Sequence, residues 1–246
     1  MRKLHLIMPM GGKGSRFSEY GYDFPKPLLK IQDYPFFYWA TQSVVKFIDV
    51  EDIIFVILKE HVEKFGLDNE IRKYYPDAKI HIIPKVLGGA VLTCMEGIRE
   101  ISDDAPIVFN DCDHIFRSRD FEDFCANGLD ASVEGAILTF QSNEEKYSFL
   151  RFDDRGNVIE TVEKKAISGH AICGCYYFAN KDLFASAVET YLHECSYQEY
   201  FVSGVYNVMS KQGAEIRAFA TDFHVPFGIP EEYEKAKDLE YFAGLA

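Results

Sequence analysis

Pro9-Met10-Gly11-Gly12-Lys13-Gly14-Ser15-Arg16-Phe17 is the stretch of this chain whose residue types and spacing promise chemistry most directly. Backbone N–H groups approach phosphate oxygens closely only where no Cβ intervenes, and turns of this kind often need positive φ. Gly11, Gly12 and Gly14 meet both needs. Spacing excludes two familiar phosphate loops: a Walker A loop needs Gly-Lys-Ser/Thr, but Lys13 precedes Gly14, and the dinucleotide fingerprint needs a third small residue where Phe17 stands. Arg16 offers a planar fork of donors for bidentate phosphate binding. Lys26 follows in Phe24-Pro25-Lys26-Pro27-Leu28-Leu29, a point charge between two prolines that fix φ and stiffen the backbone around it. Together the two segments are suited to wrap a polyphosphate.

A second constellation, Asp111-Cys112-Asp113-His114, comes directly after the apolar run Ile107–Asn110. Ligands in open parallel sheets bind beyond the carboxyl ends of strands, and the glycine loop and this acidic pair both follow such ends. The two are therefore expected to share one crevice. There Asp111 and Asp113 suit Mg²⁺, which takes one or two protein carboxylates together with phosphate oxygens and water. An Asx turn closing the strand is the plainer alternative. Glu163-Lys164-Lys165, taken alone, is a solvated charge run.

The elements that must position these groups alternate through the first half of the chain. Strands are expected at Leu4–Met8, Ile53–Leu58, Lys79–Ile83 and Ile107–Asn110, with helices at Phe36–Phe47, Val62–Tyr74 and Ala90–Ile101 between them. Such alternation implies βαβ units and a mostly parallel sheet. Beyond Asn110 the pattern changes to strands at Gly135–Phe140, Ser148–Phe152, Val158–Val162 and Ile172–Phe178. The Asp153-Asp154-Arg155-Gly156-Asn157 segment has the composition of a tight hairpin turn between the second and third of these. Helices at Lys181–Tyr191 and Gln198–Lys211, a strand at Ile216–Ala220 and a terminal helix from Glu231 to about Phe242 complete the pattern. With no linker or internal repeat, the 246 residues suit one α/β domain over 1–246, and a chain this long can bury a full core.

The formal charge of −13, from 26 basic and 39 acidic residues, argues against nucleic-acid or anionic-membrane binding, which relies on a basic field. A small anionic substrate in a local basic pocket fits better. No apolar stretch reaches the roughly 20 residues needed to span a bilayer, and the amino terminus does not resemble a secretory signal, so a cytoplasmic location is expected. Cys94, Cys112, Cys125, Cys173, Cys175 and Cys195 are scattered without zinc or redox spacing, and are expected as reduced, mostly buried thiols.

In combination these segments resemble the nucleotidyltransferase family that makes nucleotide sugars and related activated alcohols. The opening loop is similar to that family's Gly-Gly-x-Gly-x-Arg-Leu signature, with Phe17 in place of leucine, and Lys26 stands in a segment similar to its Pro-Lys-Pro-Leu element. Gly88-Gly89-Ala90 resembles the Gly-x-Ala segment that contacts base and ribose, and Asp111 the metal aspartate. Glu163-Lys164 resembles the Glu-Lys that grips the acceptor phosphate, Gly174–Phe178 the following Gly-Ile-Tyr-x-Phe strand, and Phe227–Glu232 a late Gly-Thr-Pro-Glu-Asp element. The match runs in order from near residue 4 to near residue 235. It departs at Pro226, where relatives often carry a second metal aspartate; Asp222, His224, or Asp111 with Asp113 alone remain as alternatives.

The resemblance implies a Rossmann-like three-layer α/β sandwich with a small β-hairpin region in the second half. It also implies Mg²⁺-dependent transfer of a nucleoside monophosphate from a nucleoside triphosphate to a phosphorylated small molecule. Pyrophosphate is released, and the product is an activated precursor for cell-surface polysaccharide. Arg16 and Lys26 are the implied catalytic residues, and Met10–Ser15 with Gly88–Ala90 hold the nucleotide. Glu163 and Lys164 hold the acceptor, while Asp111 and Asp113 hold the metal. A sugar 1-phosphate is the commoner acceptor; small phosphorylated alcohols or amines activated with CTP are the alternative. A glycosyltransferase with an Asp-x-Asp metal site and a nucleotide-sensing homologue without turnover are competing classes. Lys85-Val86-Leu87 leaves the base open among thymine, uracil, cytosine and guanine, and self-association into a homo-oligomer stays open too.

Overall fold

A computed structural model describes residues 3–127, 130–239 and 242. The chain opens with β1 (Leu4–Met10), whose side chains divide between two cores. Ile7 packs with Ile54, Val56 and Phe109 on one face of the sheet, while Leu6, Met8 and Met10 join Phe37, Phe55 and Ile57 on the other. A strand with period two and apolar cover on both faces reads as a near-continuous apolar run, interrupted here by His5, whose Nε2 bonds to Asp103 at 3.0 Å.

The glycine turn then leads into the short α1 (Ser15–Glu19), a 3₁₀ turn at Lys26–Leu28, and a small pairing of β2 (Lys30–Ile31) with β3 (Tyr34–Pro35). Next come α2 (Phe36–Val45), β4 (Val50–Leu58), α3 (Lys59–Phe65), α4 (Leu67–Tyr74), β5 (Lys79–Ile83), α5 (Ala90–Gly97) and β6 (Ile107–Asn110). Strand β1 lies between β4 and β6, parallel to both, and β4 is parallel to β5. The second half contributes β7 (His114–Arg117), α6 (Arg119–Ala126), β8 (Val133–Gln141), β9 (Ser148–Phe152), β10 (Val158–Glu163) and β11 (His170–Phe178). It closes with α7 (Lys181–Glu194), α8 (Val202–Lys211), β12 (Glu215–Ala220), β13 (Phe223–Pro226) and α9 (Pro230–Lys237).

These strands form a nine-stranded sheet ordered β10-β9-β11-β6-β1-β4-β5, with β8 joining β11 and β12 joining β8. Strand β11 runs antiparallel to β6, β8 and β9. Residues from α5, α7 and α8 cover one face, and residues from α2, α4 and α6 cover the other. The chain thus has the expected three-layer α/β sandwich: a parallel set from the first half, and a mixed set from the second in which the β9–β10 hairpin and β11 run antiparallel and β12 lies parallel to β8. A third, aromatic core gathers Phe17, Phe36, Trp39, Phe227 and Tyr233, tying α1, α2 and α9 together.

Several expected boundaries shift for local reasons. The helix expected over Val62–Tyr74 is two helices, because Gly66 adopts φ +64 and its N–H donates to the Val62 carbonyl at 2.9 Å, a left-handed stop that glycine supplies without strain. The helix expected from Gln198 starts at Val202 instead, since Tyr200 spends its backbone groups on the Gly88–Val91 segment. The tail of the helix expected over 90–101 narrows to a 3₁₀ turn at Ile98–Glu100. At the carboxyl end, α9 stops at Lys237, and residues 240 and 241 of the helix expected there lie outside the described residues. Six short elements, α1, β2, β3, β7, α6 and β13, were not anticipated from the sequence, and β7 pairs antiparallel with β13. Among the described residues no helix is long and apolar enough to cross a membrane.

Candidate active site

The glycine loop leaves β1 at the carboxyl edge of the parallel strands, and the Asp111–Asp113 turn leaves the adjacent β6 at the same edge. A cavity of about 630 Å³ opens between them. Residues 9–15 line it, with Lys26, Pro27, Val86–Ala90, Thr93, Asp111–Asp113, Gln198 and Glu199. A smaller cavity of about 190 Å³ adjoins it and shares Asp111 and Asp113, with Arg16, Lys146, Tyr147, Tyr176, His224, Gly228 and Glu232 among its walls. The structure therefore brings the two constellations to one place, at a junction between two chambers.

Each wall is fixed by a local packing requirement. A Cβ on Gly14, which has φ +66 and caps α1, would lie 2.9 Å from Lys26 Cβ, so the loop and the Pro-Lys-Pro segment touch through the glycine. Phe17 is fully buried edge-on against Tyr22 and Phe36, with ring centroids 5.5 and 6.0 Å away. That burial is worth about 1.5–3 kcal/mol and anchors the helix carrying Arg16. Opposite, Tyr200 N–H donates to the Gly88 carbonyl and Val91 N–H to the Tyr200 carbonyl, each at 3.1 Å. Gly89 lies against the Tyr200 backbone at φ +150, and an added Cβ would collide with the Tyr200 nitrogen and lie 2.5 Å from its carbonyl oxygen. Gly89→Ala should therefore cost about 1–3 kcal/mol in backbone strain and weaken nucleotide binding as well; thermal melting with and without triphosphate would measure both.

The acidic turn is held just as tightly. Asp111 N–H donates to the Gly174 carbonyl at 2.9 Å, and a Cβ on Gly174 would lie 2.7 Å from Asp111 Oδ2. Register shifts here between Ile172 and Tyr176, an irregularity that re-aims β11 beside the carboxylate. On the other side, Phe227 N–H donates to the Asp113 carbonyl at 2.9 Å. Lys26 Nζ donates to Asp113 Oδ2 at 2.7 Å, with side chains 26% and 22% exposed. Desolvation opposes the charge on Lys26, but Asp113, Cys112 and Asp111 together hold its pKa above the ordinary lysine value.

Burial and the neighbouring Asp113 charge raise the Asp111 pKa, whereas Lys26 outweighs burial and lowers that of Asp113. Among the described residues no donor hydrogen-bonds the Asp111 carboxylate. Two half-buried carboxylates, one without a donor, form an acceptor-only oxygen set short of positive charge. Such a set fits a hard divalent cation that completes its shell with phosphate and water. Among the described residues no group of three or more His, Cys, Asp or Glu side chains could hold a metal, so any ion there depends on oxygens from a substrate.

Position 226 carries proline, and the two side chains nearby that could stand in for an aspartate face different ways. Asp222 points away, its carboxylate taken by the Arg119 guanidinium at 2.6 and 2.9 Å. His224 lines the smaller cavity, and its Nδ1 is buried without a partner among the described residues. Burial, with His114 beside it, pushes the His224 pKa down to about 2, and burial pushes that of His114 down to about 4. Both rings are therefore neutral near pH 7.

Arg16 lines the smaller cavity, beyond the aspartates from the glycine loop. Glu163 and Lys164 line neither chamber. Glu163 accepts from Ser148 Oγ at 2.6 Å and from Ser203 Oγ, and the Lys164 ammonium lies 5.7 Å from the centre of the Phe201 ring. Lys164 is nonetheless close, since its N–H donates to the carbonyl of the cavity residue Tyr147 at 3.1 Å. Besides Arg16, Lys146 reaches the smaller cavity, bound to Glu144 at 2.8 Å and Glu232 at 2.9 Å. Glu232 also accepts from Tyr147 Oη at 2.7 Å and from Gly228 N–H at 3.0 Å. Sequence reasoning missed Lys146, Gln198, Glu199 and the role of Glu232. Lys146, Gln198 and Glu199 have no motif spacing, whereas Glu232 closes the Phe227–Glu232 segment that resembles a family element.

The chain resembles known proteins over most of its length. A family profile described as Nucleotidyl transferase matches residues 5–226. The chain is 25% identical over 232 residues, 94% of its own length and 97% of the relative's, to D-glycero-alpha-D-manno-heptose 1-phosphate guanylyltransferase of Campylobacter jejuni subsp. jejuni serotype O:2. A crystal structure of the nucleoside-diphosphate-sugar pyrophosphorylase from Vibrio cholerae RC9 superposes with TM-score 0.80 at 21% identity, covering 95% of this chain and 100% of that one. UDP-glucose pyrophosphorylase complexed with UDP-glucose superposes with TM-score 0.75 at 19% identity, covering 99% and 100%. The structural likenesses establish the shared fold, and with the profile matching all but the two ends, the chain belongs to the nucleotidyl transferase family.

Proposed function

We propose that this enzyme transfers a nucleoside monophosphate from a nucleoside triphosphate to a sugar 1-phosphate, with Mg²⁺ and with release of pyrophosphate. One observation carries the proposal: two chambers meet at Asp111 and Asp113, one walled by a glycine loop and Lys26, the other by Arg16 and Lys146. The named activity of the Campylobacter relative, a guanylyltransferase acting on a sugar 1-phosphate, supports the same substrate class.

The attacking phosphate oxygen is already anionic, so the reaction asks for no general base. The protein's task is to align two anions that repel one another and to offset charge on the bridging and leaving oxygens. Residues Met10–Ser15 offer backbone N–H groups to the triphosphate, with Gly88–Ala90 against the nucleoside. Lys26 neutralises charge near the α-phosphate. Arg16 is assigned to the junction where nucleophile and α-phosphate meet, a position nearer the acceptor than the leaving pyrophosphate. Lys146 is assigned to the acceptor phosphate, and Glu163 and Lys164 to the rim beside it. Asp111 and Asp113 would hold Mg²⁺, which supplies positive charge to the phosphate oxygens.

Pyrophosphate release from a panel of triphosphates and sugar 1-phosphates tests this directly. Turnover is expected with at least one pair and is expected to vanish with excess chelator. Binding of triphosphate without release for every acceptor tried, small phosphorylated alcohols and amines included, would favour a sensing role over an enzyme.

A further inference from the structure

The larger cavity has two chemically different ends. Lys13 and Lys26 stand at the glycine-loop end, whereas the walls formed by Val86–Ala90, Gln198 and Glu199 carry no cation. A carboxylate repels phosphate oxygens, so the end that holds Glu199 receives the nucleoside.

Backbone pairing of Tyr200 with Gly88 and Val91 sets the position of this segment. Both flanking side chains are exposed to the cavity, and among the described residues neither Gln198 nor Glu199 has a hydrogen-bond or ion-pair partner. They are placed by the main chain and left free to bond. A carboxylate only accepts, while a primary amide both donates and accepts. Guanine presents two adjacent donors, N1–H and the N2 amino group, beside the O6 acceptor. Uracil and thymine present one N–H between two carbonyls, and cytosine and adenine present an amino group beside ring acceptors. Only guanine offers the two neighbouring donors that a carboxylate takes bidentately, with an acceptor left for the amide.

Resting on the nucleotidyltransferase reading above, we propose that Glu199, assisted by Gln198, reads the base and selects guanine. The test is calorimetric binding of GTP, CTP, UTP, dTTP and ATP with Mg²⁺ and no acceptor, to wild type, Glu199→Gln and Gln198→Ala. Good bidentate base contacts discriminate by about 10-fold to 100-fold, so wild type should bind GTP tighter than the other four by such a factor. Glu199→Gln should erase most of that preference while changing UTP binding by less than about threefold. Gln198→Ala should lower GTP affinity alone, by a smaller factor. Circular dichroism should be unchanged, since both positions are exposed. Tighter wild-type binding of any other triphosphate would overturn the assignment. Equal weakening of all five by Glu199→Gln would also overturn it and mark a ribose contact instead. If none of the five binds wild type, the enzymatic reading falls and the base assignment with it.

Discussion

Lys26→Met should lower the rate of pyrophosphate release by about 10²–10³-fold, the usual effect of removing one preorganised charge-stabilising group, while leaving a folded protein. The ammonium is held between Pro25 and Pro27 and donates to Asp113 Oδ2 at 2.7 Å. In transition-state terms it is a cation positioned before substrate arrives, so nothing has to reorganise as charge builds on the phosphate oxygens. Methionine keeps the stem against Gly14 and removes the charge. The structural cost is smaller, because both members of the pair are partly exposed and water can solvate Asp113. A loss of about 1–2 kcal/mol, or about 2–8 °C in melting temperature, is expected. Parallel melting and initial-rate measurements separate the two effects; a rate within threefold of wild type would remove Lys26 from the chemistry.

Asp111→Asn is expected to act in opposite directions on activity and stability. The amide keeps the shape of the side chain but not the anion, so turnover should fall by about 10²-fold or more at ordinary Mg²⁺ concentration. Yet the carboxylate is half-buried, has a like charge beside it, and meets no donor among the described residues. Removing the charge relieves that repulsion. The metal-free variant should melt a few degrees above metal-free wild type, an increment of about 1 kcal/mol. An unchanged Mg²⁺ dependence of rate would move the metal to other ligands, and a lowered melting temperature would mean that the carboxylate is stabilising where it stands.

Much of the framework was legible because one physical signal dominated. Strands β5, β6 and β9 fall where expected, and β1 and β4 extend slightly beyond, since apolar cover on one or both faces leaves a clear pattern. Strands β7 and β13 escaped because they are four residues long, and each is stabilised chiefly by the other, across more than 100 residues of chain. Helix α6 was masked by Asp120, Glu122 and Asp123, which read as a solvated acidic run until Phe121 is seen buried beneath them. Gly66 carried the signal that splits the helix after β4, and the apolar periodicity on either side outweighed it.

The site was legible in the same uneven way. Gly11–Arg16, Lys26 and Asp111–Asp113 announce themselves by local spacing that phosphate chemistry demands. Lys146, Glu199 and Glu232 converge only through tertiary structure, and no local spacing relates them. The Glu163-Lys164 pair shows the converse: it has the order of a family motif, but Glu163 spends its carboxylate on Ser148 and Ser203, and Lys164 turns toward Phe201.

Strand β11 bonds to β6, β8 and β9, so three separate stretches of chain depend on a single late segment for their lateral partners. During synthesis β1, β4, β5 and β6 can assemble once the ribosome has passed Asn110, but the outer side of β6 then presents bare N–H and C=O groups until Phe178 has emerged. An open edge on an apolar strand invites pairing with another nascent chain. Translation that slows between these two points should therefore raise the aggregated fraction, whereas a pause placed after Ala220, when β12 has closed the far edge of β8 as well, should not.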